Sequence, residues 1–173
     1  DTGFTDQSGQ PVRSTVIFHN LDLPAPSDPA ESLLGTVADD TFIGGDNGDT
    51  FRLRLGNDTA TGGASGDSFG FSARGQDNAD GDTHVITDLN FFNGDELRFR
   101  GFGADWAVNQ FGSSFLTYRA ATDTWIADNP DDIAFLRDIG AVETASIETG
   151  TRITYLDAGG DSINVDLEGL LLA

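Results

Sequence analysis

The chain has 173 residues, enough for one domain that buries a sizeable core. Its formal charge of -20 comes from 29 acidic residues against nine basic ones, which makes polyanions such as nucleic acid or anionic lipid poor partners and divalent cations the natural counter-charge. There is no cysteine, so disulfides and thiolate metal sites are excluded, and no apolar run approaches the roughly 18 residues of a membrane-spanning helix.

The kind of acid is informative. Twenty-four of the acids are Asp and five are Glu, while all nine basic residues are Arg. Short carboxylates suit turns and oxygen-rich cation sites, whereas a merely soluble surface uses Glu as readily. The chain begins at Asp1 and contains no Met, which reads as a processed product or a fragment of a longer protein.

In chain order, residues 14–23 (STVIFHNLDL) read as a strand, broken by Pro24, Pro26 and Pro29, and 31–34 as one helical turn. From Gly35 the texture changes to Gly, Asp and Thr with isolated Phe. Asp40, Asp49, Asp58 and Asp67 recur every nine residues, each followed by Thr or Ser. Two positions after each stands Phe42, Phe51, Ala60 or Phe69, and Gly44-Gly45 and Gly62-Gly63 open alternate units. The register slips after Gly70: an acidic loop occupies 77–83, and 84–89 and 96–102 read as strands around the turn 93–95. Further strands are expected at 115–118 and 123–126. Asn129 and Pro130 open a helix that Gly140 stops, and 152–156 with 163–167 form a terminal hairpin. The leucine-rich end, 170–173, reads as a packed terminal strand or as part of an export signal.

The nine-residue unit has a physical rationale. Alternation along a short strand puts the apolar position on the same inward side each time, so Phe42 and Ala60 stack on one side of a coil and Phe51 and Phe69 on the other, with 18 residues per full turn. The turns between hold almost nothing apolar. Glycines let the backbone reach positive φ and converge its carbonyl oxygens, and one Asp per turn completes an oxygen cage that suits Ca²⁺ better than Zn²⁺, copper or Mg²⁺. Without metal, stacked Asp rows repel one another; with it, binding free energy becomes folding free energy.

These residues resemble the hemolysin-type, repeat-in-toxin nonapeptide G-G-x-G-x-D-x-U-x over 35–70. Less specifically, 81–102 (GDTHVITDLNFFNGDELRFRGF) is similar to the closing segment of serralysin-type C-terminal domains and mannuronan epimerase R-modules, and 151–170 to their hairpin ending. The resemblance implies an all-β fold, a short right-handed parallel β-roll flanked by antiparallel strands and one short helix, within a single domain: an N-terminal strand and connector at 1–34, the roll at 35–75 and a β-rich cap at 76–173. It also implies two to four Ca²⁺ ions between turns two units apart, held by the carboxylates of Asp40, Asp49, Asp58 and Asp67 and by the carbonyls of Thr36, Ala38, Gly45, Asn47, Gly56, Gly63 and Ser65. Asp40 would pair with Asp58 along one edge and Asp49 with Asp67 along the other. The third unit departs from the motif, opening Leu53-Arg54-Leu55, and His84 stands where the closing segment often has Asp, with Asp82, Asp88 or Asp95 as substitutes.

The function expected is calcium binding coupled to folding, in a protein exported by type I secretion to the extracellular space or the cell surface. Alternatives are a carbohydrate-binding or targeting module of a larger secreted enzyme and a calcium-dependent, self-assembling surface-layer or matrix protein; partners beyond calcium are then a glycan or further copies. No enzyme is expected, because H-E-x-x-H does not occur. His19 and His84 read as structural, Arg98 and Arg100 as a solvated strand face, and Trp106 and Trp125 as core aromatics.

Overall fold

A computed structural model describes residues 29–75 and 79–172; the strand expected over 14–23, with His19, and residues 77 and 78 of the acidic loop lie outside them. The fold is mostly β with one α-helix, built as two six-stranded mixed sheets. Five short strands follow the repeat: β1 (Ser32–Leu34), β2 (Thr41–Ile43), β3 (Thr50–Arg52), β4 (Thr59–Thr61) and β5 (Ser68–Ser72). Then come β6 (Thr83–Ile86), β7 (Glu96–Arg100), β8 (Thr117–Arg119) and β9 (Thr124–Ala127), helix α1 (Pro130–Asp138), and β10 (Glu143–Ile147), β11 (Gly150–Leu156) and β12 (Ser162–Glu168). Among the described residues no helix is long and apolar enough to cross a membrane.

Successive strands of the repeat alternate between the sheets, whose strand orders are β1-β3-β5-β7-β9-β8 and β10-β11-β12-β6-β4-β2. Pairing along the repeat is parallel. Thr50 aligns with Ser68 and Thr41 with Thr59, a separation of two nine-residue units. Each three-residue strand turns one side chain inward: Phe51 and Ala60 are fully buried and Phe42 is half-buried. Phe51 and Phe69 stack with ring centroids 4.9 Å apart and planes 12° apart, and Phe42 meets the edge of Phe51 at 6.3 Å. So short a strand buries too little to hold itself, and its inward residue is useful only because the next coil repeats it.

The remainder closes both sheets. β7 pairs parallel with β5 and antiparallel with β9, while β12 pairs parallel with β6 and antiparallel with β11. Phe71, Phe99, Phe102 and Tyr155 form an aromatic cluster between the sheets, with centroids 5.5 to 6.1 Å apart. Trp125 is buried, and Trp106 packs on Phe99 and Phe102. Helix α1 is capped by the Asn129 side chain, which accepts from the Asp132 amide, and it buries Ile133 and Leu136. A bidentate pair between Arg152 and Asp166 ties β11 to β12 across their outer side.

Three local expectations change, the first being that residues 170–172 form no strand, although Leu170 is buried against the core. The segment 31–34 is a strand and not a helical turn, because Ser32, Leu33 and Leu34 find a ladder on Thr50, Phe51 and Arg52. Strand β10 was not expected: its sequence, ETASI, is polar and largely exposed, and it exists by pairing with β11 at the sheet edge.

The stacked turns approach so closely that side chains have no room. Gly63 has φ +115°, and a Cβ there would lie 2.1 Å from the Gly45 carbonyl oxygen, whereas Gly81, at φ +86°, has nothing within 4 Å of a Cβ. Gly63→Ala should therefore cost ~2–4 kcal/mol, combining left-handed strain with overpacking, and Gly81→Ala only ~1–2 kcal/mol. Urea unfolding in saturating calcium checks this, and equal losses would refute the close stacking.

Candidate functional site

The carboxylates of the repeat form two ladders at the turns. The Asp58 Oδ1 accepts from the Asp40 amide at 3.0 Å, and the Asp67 Oδ1 accepts from the Asp49 amide at 2.7 Å. Asp49 in turn accepts from the Glu31 amide at 2.7 Å, and Asp95 from the Asp67 amide at 2.9 Å. The second oxygen reaches back within its own turn: Asp40 accepts from the Thr36 amide and hydroxyl, Asp49 from the Gly45 amide, and Asp58 from the Arg54 amide at 3.3 Å. Asp49 and Asp58 thus each tether their own turn to the one 18 residues before. The unusual third unit keeps this geometry: Leu53 enters the core, and the Arg54 amide replaces that of a glycine.

The closing aspartates continue the ladders. Asp95 also accepts from the Asn90 amide, at 2.7 Å. Asp88 takes the amides of Gly62 and Gly63 at 2.8 and 2.9 Å, and Asp82 takes those of Ala79 and Gly56 at 2.8 and 3.3 Å. His84 occupies the rung after Asp58: both are fully buried, with Nδ1 3.3 Å from the Asp58 Oδ2. Its ring also lies 6.3 Å from that of Phe71, a structural setting.

Because Asp88 takes the Gly63 amide, Asp67 loses the partner that Asp49 and Asp58 have in their own turns. Its Oδ2 is buried with no hydrogen-bond partner, and the residue is 1 % exposed. Desolvation raises its pKa from 3.8 to about 6; the Asp49 amide opposes the rise, and the charges of Asp95, Asp49 and Asp88 add to it. That corresponds to about 3 kcal/mol against the ionised form. Desolvation likewise raises the pKa of Asp95, which is 3 % exposed.

The expected carbonyl donors sit in these same turns. The Gly45 oxygen accepts from the Ala64 amide at 3.2 Å, the Ser65 hydroxyl donates to the Asp46 oxygen at 2.5 Å, and the Ala38 oxygen faces Gly56 at a separation only glycine permits. Thr36 binds Asp40 through both amide and hydroxyl. Asn47 also has an interaction partner. Among the described residues no group of three or more His, Asp or Glu side chains is arranged around one point suited to a metal ion. The donor set nevertheless fits a hard cation. It is all oxygen, a carboxylate carrying two amide bonds retains about two of its four lone-pair sites, and the Asp67 Oδ2 is buried with nothing to balance it.

No protein-family model, curated protein or solved structure matches the chain.

The burial of Asp67 has a pH signature. An acid whose pKa is raised on folding contributes stability that is fully present below its unfolded value and lost as pH rises through the folded one. In EDTA, with trimethylamine N-oxide added to keep the metal-free chain folded, the stability of the wild type relative to Asp67→Asn should fall by about 3 kcal/mol as pH rises from 3.8 to above about 6. Parallel pH profiles in chemical denaturation would refute the assignment.

Proposed function

We propose that the chain is a calcium-binding module of the parallel β-roll type, in which Ca²⁺ between stacked turns drives folding. The observation that carries this reading is the buried Asp67 Oδ2, an anionic oxygen with no hydrogen-bond donor, standing in a ladder of nearly inaccessible carboxylates. A chain with a formal charge of -20 that buries Asp49, Asp58, Asp67 and Asp95 to 3 % exposure or less calls for a positive counterpart. In this reading two to four ions are held between turns by the carboxylates of Asp40, Asp49, Asp58 and Asp67 with the carbonyls of Thr36, Ala38, Gly45, Asn47, Gly56, Gly63 and Ser65, and Asp82, Asp88 and Asp95 serve the closing turns. The bound cation supplies the opposite charge that cancels repulsion between the rungs.

What the chain itself does is hold the oxygens in place. The inter-turn amide bonds orient one side of each carboxylate, the glycines admit close backbone contact, and the phenylalanine stack fixes the coil repeat. Since the oxygens of different turns come near one another only when turns are stacked, binding and folding are one equilibrium. We infer that this coupling serves export: a chain unfolded where calcium is scarce and folded where it is millimolar. The activity is binding and not catalysis.

Circular dichroism during calcium titration of the EDTA-treated protein tests the proposal. The β signal should be weak in EDTA and rise cooperatively with calcium, and Asp49→Ala and Asp67→Ala should each raise the midpoint concentration at least about tenfold. A full β signal in EDTA that calcium leaves unchanged would overturn the reading.

A further inference from the structure

The acid excess is not spread evenly. Six of the nine arginines, Arg52, Arg54, Arg74, Arg98, Arg100 and Arg119, line one open groove of about 670 Å³ on the outer face of the first sheet. Their places follow from register. Arg52 on β3 and Arg98 on β7 flank Gly70 on β5 in one row; in the next, Arg100 on β7 and Arg119 on β8 flank Thr124 on β9. Position 70 carries no side chain, and the Arg52 Cγ would lie 3.9 Å from a Cβ there, so the glycine leaves the floor between the two arginines open.

Half of the arginines in this groove are engaged by neighbours, and half are not. Arg98 pairs with Glu96, but Arg52, Arg100 and Arg119 have no ion-pair partner among the described residues and are exposed. The one acid in the lining, Asp123, is engaged by the Tyr118 hydroxyl at 2.7 Å and the Gly103 amide at 3.1 Å through its Oδ1. At physiological salt the acids elsewhere on the chain are screened beyond about 8 Å, so a ligand in the groove meets guanidinium groups and not the net charge.

We propose that this groove binds an acidic polysaccharide through the carboxylate or sulfate groups it carries along its length. The rows run from β3 to β8 across four strand spacings, ~19 Å at ~4.8 Å each, which demands an extended ligand with several charges and not a single small anion. Guanidinium forks match carboxylate and sulfate oxygens in bidentate fashion. Hydroxyls of Thr50, Ser72 and Thr122 stand in the same lining and suit sugar hydroxyls as acceptors. Single-stranded nucleic acid is disfavoured because the only aromatics of the lining, Phe51 and Phe71, are at most 2 % exposed and offer no stacking platform. Strand addition by a peptide is disfavoured because β3, β5, β7 and β9 are each paired on both sides.

The test is fluorescence anisotropy of the calcium-loaded chain with labelled hyaluronate, which carries carboxylates, labelled dextran sulfate, and neutral dextran as control. At least one anionic polymer should bind at 0.15 M salt, weakening steeply as salt rises, and the arm that binds distinguishes carboxylate from sulfate. The triple variant Arg52→Ala, Arg100→Ala, Arg119→Ala should lose roughly tenfold or more, with unchanged circular dichroism, while Arg137→Ala on α1 binds as the wild type does. No binding by either polymer, or equal binding by the triple variant, overturns the proposal. It is equally overturned if the groove arginines prove to be needed only for single-stranded DNA binding or for self-association seen in sedimentation velocity. Failure of the calcium reading would show instead as a β signal insensitive to EDTA.

Discussion

The fold depends on a hydrogen bond between a carboxylate in one turn and a backbone amide in the turn 18 residues earlier. Asp58 to Asp40, Asp67 to Asp49 and Asp49 to Glu31 repeat it. Secondary structure alone does not hold these turns together, because three-residue strands supply few ladder bonds and the turns have almost no apolar surface. A carboxylate with four acceptor sites satisfies several turn amides at once, which a neutral side chain of the same length does not. The cost is negative charge concentrated where water is nearly excluded, and the Asp67 carboxyl shows that cost in its raised pKa.

Hydrophobic and polar roles are divided cleanly between the parts of each unit. The strands contribute the inward Phe51, Phe69 and Ala60, and the turns contribute the ladders. A short coil of this kind has unpaired ends, and the strands from β7 onward cover one of them. β9 and β8 extend the first sheet while β12, β11 and β10 extend the second, and Tyr155 on β11 meets Phe71 and Phe99 from across the core. Parallel pairing of β12 with β6 links the last strand of the chain to the middle of it.

Charge is segregated as well. Carboxylates concentrate at the turns, bonded to backbone amides, while guanidinium groups gather on the outer face of one sheet. Net charge treats the molecule as a point and misses this. A chain of overall charge -20 therefore presents a groove in whose lining six arginines face one acid, over a distance of about two screening lengths.

The repeat, its nine-residue period, the inward Phe positions, the Asn129-capped helix and the final hairpin were legible in the order of residues, because each rests on local chemistry: alternation, capping and turn preference. That order also marked Asp40, Asp49, Asp58 and Asp67 as one recurrent set. That 31–34 is a strand and that the polar β10 exists emerged from packing alone, since both are made by their partners. The same holds for the isolation of the Asp67 Oδ2, which arises because Asp88, 21 residues on, takes the Gly63 amide. The arginine groove was legible only as the alternation of Arg98 and Arg100. Register between strands distant in sequence brought Arg52 and Arg119 beside them, and no local pattern encodes register of that kind.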